Sequence, residues 1–573
     1  MNNEINIWQK RLNTALQAMD SEFRAMDRRE ELYNGTHTIS SATGKAKNAG
    51  NVRNIVYELI ESEVDSTVPM PQVSSRTQED VPMAKNAEEL LRSEINRLPF
   101  TELNDAAERM TTVQGTSAFL VEWEPTHAMR GSTGHLAVSL LHPRQILVQP
   151  ASADIQSADW LIILRSKTRG ELALRYKAFA SEESNAEEIV TLYVGYYHNK
   201  TGGIGRYIWA EDTQLEHLDN YELPQVYYCN KCKSAGNSGK CEKCGQKAEL
   251  QSKEILDHEV QTNEETLFTG TKIPMYTPQM YPIVLRKNVS AYGKLFGESD
   301  VDKIIDQQET IKKLGSKIDE KVLKGGSYVT LPAGVSVETT DRELKILRVK
   351  SPADKAMIDV YNVQPDISKD MAVLEENYQW AKSTLGITDS FQGKRDITAT
   401  SGVAKRFSVS QAAGRLESKR VMKNAAYTHL FELMFRFLLA YSDDTYPLEA
   451  HSATGEIEYR EFCRHSFLRK DDANELYWND DFTFGVDAGG TLAGNRQSMW
   501  QETRESFALG AFGIQSTREA QLMYWKIMES LHYPLAGMVR AKLEEEPQEA
   551  ELPQMISVLS NEKILQNTDK GDE

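Results

Sequence analysis

Apolar residues near the start of the chain recur at steps of three and four: Ile5, Trp8, Leu12, Leu16, Met19, Phe23 and Met26. That spacing puts them on one face of a helix packed on a core, and Asn34-Gly35 supplies its stop. A cofactor-binding aromatic stripe is the weaker reading of the same residues. Thr36–Gly50 is rich in Ser, Thr, Gly, Ala and Lys and predicts a mobile loop. Helical patterns follow at Val52–Val64 and at Ala84–Ala107, the latter running on towards Val113.

After Gly115 the period shortens. Ala118–Trp123, Leu136–Leu141, Gln145–Val148, Trp160–Ser166, Ile189–Tyr197 and Tyr207–Ala210 read as strands, with a short helix at Glu171–Phe179. A second long helix spans Glu298–Lys324, with Val301, Ile304, Ile311, Leu314, Ile318 and Val322 on one face and polar Gln308 in the same stripe. Gly325-Gly326 ends it. Strand-like pieces lead to Pro365-Asp366, which opens a helix at Ile367–Leu385 with Asp366 as N-cap. A polar loop, Gly386–Thr400, precedes a helix of about forty residues ending at Tyr441, far above the usual mean of about 11–12. Strands return between Ile457 and Val486, and Arg496–Glu544 reads as two or three helices. Strands and helices in separate runs predict an α+β protein.

Composition narrows the function classes. The 573 residues are 40% hydrophobic, which argues against wholesale disorder. A net charge of −18 argues against a surface that clings everywhere to a polyanion. The C-terminal Glu544–Glu573 holds nine acids against two lysines and reads as a solvated tail. The most apolar stretch, Leu430–Tyr441, is interrupted by Glu432 and Arg436 and falls short of the about 20 residues a membrane span needs. MNNEINIWQK lacks the marks of a secretory signal, and five cysteines point to a reducing cytoplasm.

Four of those cysteines lie in Cys229-Asn-Lys-Cys232 and Cys241-Glu-Lys-Cys244. Each CxxC lets a tight turn present two thiolates to one ion, and two such turns complete a tetrahedral zinc site. Four thiolates leave no open coordination position, so the zinc is predicted to be structural. Lys231, Lys233, Lys240, Lys243 and Lys247 would offset its negative charge. A redox role needs only one pair. Cys463 reads as a small buried apolar residue.

No GxxxxGK[ST], HExxH or GxSxG occurs, so nothing in the chain predicts an ATPase, zincin or serine-hydrolase centre. The expectation is a protein that is not an enzyme. Val403–Lys423 is locally basic, with Lys405, Arg406, Arg415, Lys419, Arg420 and Lys423 against Glu417 alone. Duplex DNA carries about one charge per 1.7 Å, so rings of such cations can hold it without reading sequence. The competing reading pairs these cations with acids of neighbouring subunits.

Three groups of residues carry a resemblance. The first is Gly115-Thr-Ser-Ala-Phe-Leu-Val-Glu-Trp123. The second is His142-Pro143-Arg144-Gln145-Ile146-Leu147-Val148, followed by Ser157-Ala158-Asp159-Trp160-Leu161-Ile162-Ile163. The third is Tyr281-Pro282-Ile283-Val284-Leu285, Tyr292-Gly293 and Phe296-Gly297-Glu298-Ser299, entering the helix that holds Gln307-Gln308. In order and spacing, from Val52 to Glu544, the chain resembles the portal protein of tailed double-stranded DNA bacteriophages.

The resemblance implies a portal fold that assembles as a dodecameric ring. Its parts would be a wing at 1–297, a stem helix at 298–324, a clip at 325–364 and a second stem helix at 365–385. A tunnel loop at 386–400, a long channel helix at 401–443, wing strands at 444–490, a helical crown at 491–546 and an acidic tail at 547–573 would complete it. The zinc-ribbon-like insertion at 226–250 is outside the common portal pattern. The ring would stand at one capsid vertex of the virion, assembled in the host bacterial cytoplasm, and pass DNA during packaging and ejection. Terminase large subunit, head–tail connector or adaptor proteins, and capsid and scaffolding proteins would be its partners, with no membrane involved. Lys394 and Arg395 in the tunnel loop, then Lys405 and Arg406, are the candidate contacts to double-stranded DNA. The rival classes are a zinc-ribbon nucleic-acid-binding protein acting outside the capsid and, more weakly, a zinc-dependent enzyme.

Overall fold

A computed structural model describes residues 2–40, 46–50, 52–124, 134–176, 186–200, 202–223, 225–229, 231, 234–236, 244, 249–252, 255–257, 272–330, 353, 359–387, 402–442, 446–451, 457–471, 475–486, 493–531, 533 and 536–545. Two compact units divide the chain: Met1–Pro447 with Glu461–Val486, and Leu448–Arg460 with Asp487–Glu573.

The first unit opens with α1 (Asn2–Tyr33), closed at Gly35 by a left-handed backbone. The predicted loop holds a short antiparallel pair, β1 (Thr38–Ser40) and β2 (Ala46–Asn48). Helix α2 (Ile55–Glu63) is capped by Asn54, whose side chain accepts from the Tyr57 N–H, and strand β3 (Pro71–Ser75) follows. The single helix predicted over Ala84–Ala107 is two, α3 (Val81–Arg97) and α4 (Phe100–Gln114). Pro99 causes the break, because proline forces the preceding Leu98 into extended backbone.

Gly115, at φ 81°, turns α4 into β4 (Thr116–Glu124). A Cβ there would run into the backbone of Gly297–Ser299, so this junction admits only glycine. Strands β5 (His135–Leu141), β6 (Ile146–Val148) and β7 (Trp160–Thr168) follow, then helix α5 (Arg169–Arg175). Next come β8 (Ile189–His198), β9 (Ile204–Ala210) and β10 (Thr213–Leu218). They form an antiparallel sheet in the order β10-β9-β8-β7-β6.

The unbroken apolar run of β7 reflects burial on both faces. Trp160 and Ile162 meet Trp8, Leu12 and Ala15 of α1. Leu161 and Ile163 meet Ala118 and Leu120 of β4 on the other side. Trp8 lies flat on Gly195, where a Cβ would strike its ring.

The inserted segment contains β11 (Gln225–Cys229), β12 (Ser234–Gly236), β13 (Glu249–Ser252), β14 (Ile255–Asp257) and β15 (Lys272–Pro274). The chain then returns as β16 (Ile283–Lys287), which pairs with β4 in a sheet of order β16-β4-β5.

Ser299 caps α6 (Asp300–Lys324) through its hydroxyl. A hairpin of β17 (Gly326–Thr330) and β18 (Asp359–Val363) leads to α7 (Ser368–Leu385). Asp366 is not the N-cap; it accepts from the Ser368 N–H in the preceding turn. The end of α6 meets the start of α7, where Lys317 and Lys321 both bind Asp370. Ile304 and Ile311 of α6 pack with Tyr378, Ala381 and Leu385 of α7 and with Ile55, Leu59 and Ile60 of α2.

The out-of-pattern Gln308 is fully buried and serves as a cap. Its Oε1 accepts from Ile55 N at 2.8 Å and Val56 N at 3.2 Å, and its Nε2 donates to Arg53 O. The Val56 N–H at the start of α2 thereby gains an acceptor, and the Ile55 N–H gains a second one beside the Arg53 carbonyl.

Helix α8 (Gly402–Tyr441) buries Tyr427, Leu430, Phe431, Leu433, Met434, Phe435, Leu438 and Leu439 almost completely. It packs on β4 and β16. Strands β19 (Tyr446–His451), β20 (Ile457–Phe462), β21 (Leu468–Lys470), β22 (Leu476–Trp478) and β23 (Phe482–Val486) follow, and β23 pairs with the distant β3. Cys463 is half-buried, not fully enclosed. The second unit includes α9 (Ala493–Ala508), α10 (Arg518–Ser530) and α11 (Ala536–Glu545), with Tyr524, Met528 and Ala536 at its core. Helices and antiparallel strands in separate runs make the protein α+β. Among the described residues, no helix is long and apolar enough to cross a membrane.

Candidate metal module and the anchor of the long helix

Cys229 is the last residue of β11 and pairs with Ser234 of β12, so the first CxxC occupies a hairpin connection of β11 to β12. Strand β13 flanks the other edge of β11, with Glu249 opposite Tyr228. The chain arriving from Cys244 therefore enters β13 at the same end of β11 where Cys229 sits. Register alone brings the first motif and the exit from the second to one end of a three-stranded sheet. Cys232 and Cys241 lie outside the described residues, and Cys244 is half-buried.

The two ends of the inserted segment meet at Glu222, just before β11. Its carboxylate is 1% exposed and lies against the backbone amides of Gln279 and Met280. Burial pushes it up to about 7, against the lowering effect of those amides. Gln279 is left-handed (φ 53°), and Arg436 of α8 donates to Pro278 O at 3.3 Å. Tyr276 donates to Asp480 at 2.8 Å.

The basic segment of α8 divides into two kinds of residue. Lys405 and Arg406 stand in the first turns of the helix, and Lys394 and Arg395 lie outside the described residues. Lys419, Lys423 and Tyr427, spaced by four, share one face turned inward. Lys419 Nζ lies 2.6 Å from both Glu63, the last residue of α2, and Asp300, the first of α6. Those carboxylates are 2% and 1% exposed. Asn288 also donates to Asp300, at 2.9 Å, and the positive end of α6 favours its charge.

Glu63 has no such support. Burial raises its proton affinity, and neighbouring Asp300 adds to that against the pull of Lys419. Burial disfavours the Lys419 charge, but the two carboxylates outweigh it and hold the lysine protonated.

One turn on, Lys423 is 4% exposed and binds Glu108 at 2.6 Å, Asp65 at 3.1 Å and the Thr67 carbonyl at 2.7 Å. Arg286 of β16 closes on the same Glu108 at 2.7 Å. Tyr427 donates to Asn104 of α4 at 2.8 Å. The long helix is thus tied by buried ion pairs to α2, α4 and α6, and through Glu108 it shares a carboxylate with Arg286 of β16. Lys419 and Lys423, counted in the basic segment as possible DNA-facing cations, are partners of acids within their own chain. Arg420 is paired with Glu417 at 2.7 Å.

No protein-family model and no curated protein matches this chain. The reading of the site therefore rests on the geometry above and on the residues themselves. Glu63, Asp65, Glu108, Arg286 and Asp300 escaped the sequence reading because each finds its partner far along the chain. The available signal was the four-residue spacing of Lys419, Lys423 and Tyr427 on the face that becomes fully apolar from Leu430 onward.

Proposed function

We propose that the chain is the subunit of a phage portal, a ring at one capsid vertex through which double-stranded DNA is packaged and ejected. The observation that carries this reading is the run of elements from α6 to α8. Two packed antiparallel helices are separated by a β-hairpin excursion, and the second leads through residues 386–401 into a 40-residue helix anchored at its middle by Lys419 and Lys423. In this reading α6 and α7 are the stem, 325–364 the clip and 386–400 the tunnel loop. The first half of α8 approaches the channel while the anchor fixes its far half to the wing.

Apolar side chains left in solvent on the stem support self-association. Leu323 is 84% exposed and Trp380 53%, with Val322, Met371 and Val373 also open. Isolated exposed apolar residues are ordinary, but a group on two adjacent helices marks an interaction surface. Lys394, Arg395, Lys405 and Arg406 supply non-specific contacts to DNA. The clip meets the terminase large subunit during packaging and connector proteins afterwards, while capsid and scaffolding proteins meet the wing.

The four cysteines hold a structural zinc that fastens the small inserted sheet. The β11 register supports this reading, since Cys229 and the start of β13, five residues after Cys244, stand at the same end of the sheet. Sedimentation of the purified chain over a range of concentrations tests the assembly. A discrete high-order oligomer supports it, and a monomer at every concentration contradicts it.

A further inference from the structure

A second site stands apart from the stem and the long helix. Helix α1 and the C-terminal end of β8 border a cleft of about 640 Å³ lined by Ile7, Trp8, Arg11, Tyr197, His198 and Lys200. Its distinctive member is Arg11. Of the arginines on or next to the adjoining sheet, Arg165 is paired with Glu122, Arg169 with Glu188 and Glu211, and Arg206 with Glu216. Arg11 has no such partner: among the described residues, no carboxylate or carbonyl lies in hydrogen-bond range of its guanidinium. It is held by aromatic faces, 4.6 Å from the Trp8 centroid and 5.6 Å from Trp160. Burial works against its charge, and Tyr197 and Asp159 offset this only through space.

The acids that border the cleft do not meet this need. Glu4 is engaged by His217 Nδ1 at 3.0 Å, and Asp219 stands 89% exposed beside the Tyr197 hydroxyl. His198 is bound to the Gln156 carbonyl at 3.0 Å. Lys200, exposed at the rim, is the other lysine or arginine that borders the cleft. A guanidinium is a planar fork of donors matched to the two oxygens of a carboxylate or phosphate. The Arg11 donors, not taken up by a protein oxygen among the described residues, are open to a ligand entering the cleft. Ile7, 45% exposed, adds an apolar wall.

We propose that this cleft is an oxyanion-binding site, in which the Arg11 fork takes a carboxylate or phosphate group, Lys200 adds charge at the rim, and Ile7 and Tyr197 contact the carrier. The site does not depend on the portal reading.

Calorimetric titration of the full-length protein at fixed ionic strength tests it, with inorganic phosphate in one arm and benzoate in the other. Saturable binding of either supports the site, and the preferred arm identifies the anion class. Arg11→Gln is expected to weaken binding about tenfold or more, as loss of a charged hydrogen-bonding group does. Lys200→Gln should weaken it about two- to fivefold, as for an exposed charge. Arg175→Gln, an arginine stacked on Tyr176 away from the cleft, should leave it unchanged. Should Arg11→Gln fail to fold, Arg11→Lys keeps the charge and removes the fork, and weakened binding is again expected. No saturation with either anion, or wild-type affinity in the Arg11 variants, overturns the proposal.

Discussion

Lys419 lies between two buried carboxylates, so its removal would leave Glu63 and Asp300 facing each other, with Lys303, 3.2 Å from Asp300, the cation still beside them. Breaking such a buried pair costs about 3–5 kcal/mol, whereas exposed pairs contribute about 0–1 kcal/mol. Lys419→Met is therefore expected to lose about 3–5 kcal/mol in urea unfolding, and Arg420→Gln under about 1 kcal/mol. Adding Glu63→Gln to Lys419→Met should recover part of the loss, because neighbours in one network are not additive. Equal, small effects for Lys419→Met and Arg420→Gln would show that the anchor is not an ion cluster.

Glu222 gives a pH-dependent counterpart. Its folded proton affinity is raised to about 7 from an ordinary 4.5, so the folded chain binds this proton more tightly than the unfolded chain. Its contribution to stability is then fully present below the ordinary value and is lost as pH rises through about 7. Glu222→Gln should be nearly neutral at acid pH and more stable than the parent at alkaline pH, by about 1–3 kcal/mol. Thermal melts of both proteins across pH check this. A difference that does not change with pH would contradict the burial of an ionisable carboxylate there.

At the scale of elements, the cysteine module gives the clearest prediction. Protein purified under reducing conditions should carry one zinc per chain by elemental analysis, and Cys229→Ser or Cys244→Ser should lower that occupancy sharply. Metal-free protein with all four cysteines intact would rule out the four-thiolate site. Much of the element order was legible in the sequence because periodicity is a local signal. The stripe of α1, the doubly buried run of β7 and the apolar end of α8 each declare their burial through neighbours three, four or two residues away. The division of α3 from α4 was also local, written in Pro99, but the apolar pattern on either side concealed it. Pairings made over long stretches of chain were not legible. The union of β3 with β23, the capping of α2 by Gln308 and the acids that meet Lys419 and Lys423 depend on tertiary closure, which spacing does not encode. Buried lysines are legible in sequence only as charge, which is why the basic segment read as outward-facing.

For the whole molecule, the acidity is compatible with the proposed DNA channel once the basic residues are sorted. A net charge of −18, with nine acids in Glu544–Glu573, disfavours general adhesion to DNA. With Lys419 and Lys423 occupied internally and Arg420 paired with Glu417, the remaining candidates are Lys394, Arg395, Lys405, Arg406 and Arg415. A conduit benefits from that economy, since many cations along its wall would slow a translocating polyanion. Charge removal at these positions should weaken DNA retention without altering the fold. The central claim is assembly around a channel, and electron microscopy of the purified full-length chain tests it most directly. The account predicts closed rings with a central opening wide enough for duplex DNA; a field of single, unassociated particles at every concentration would contradict it.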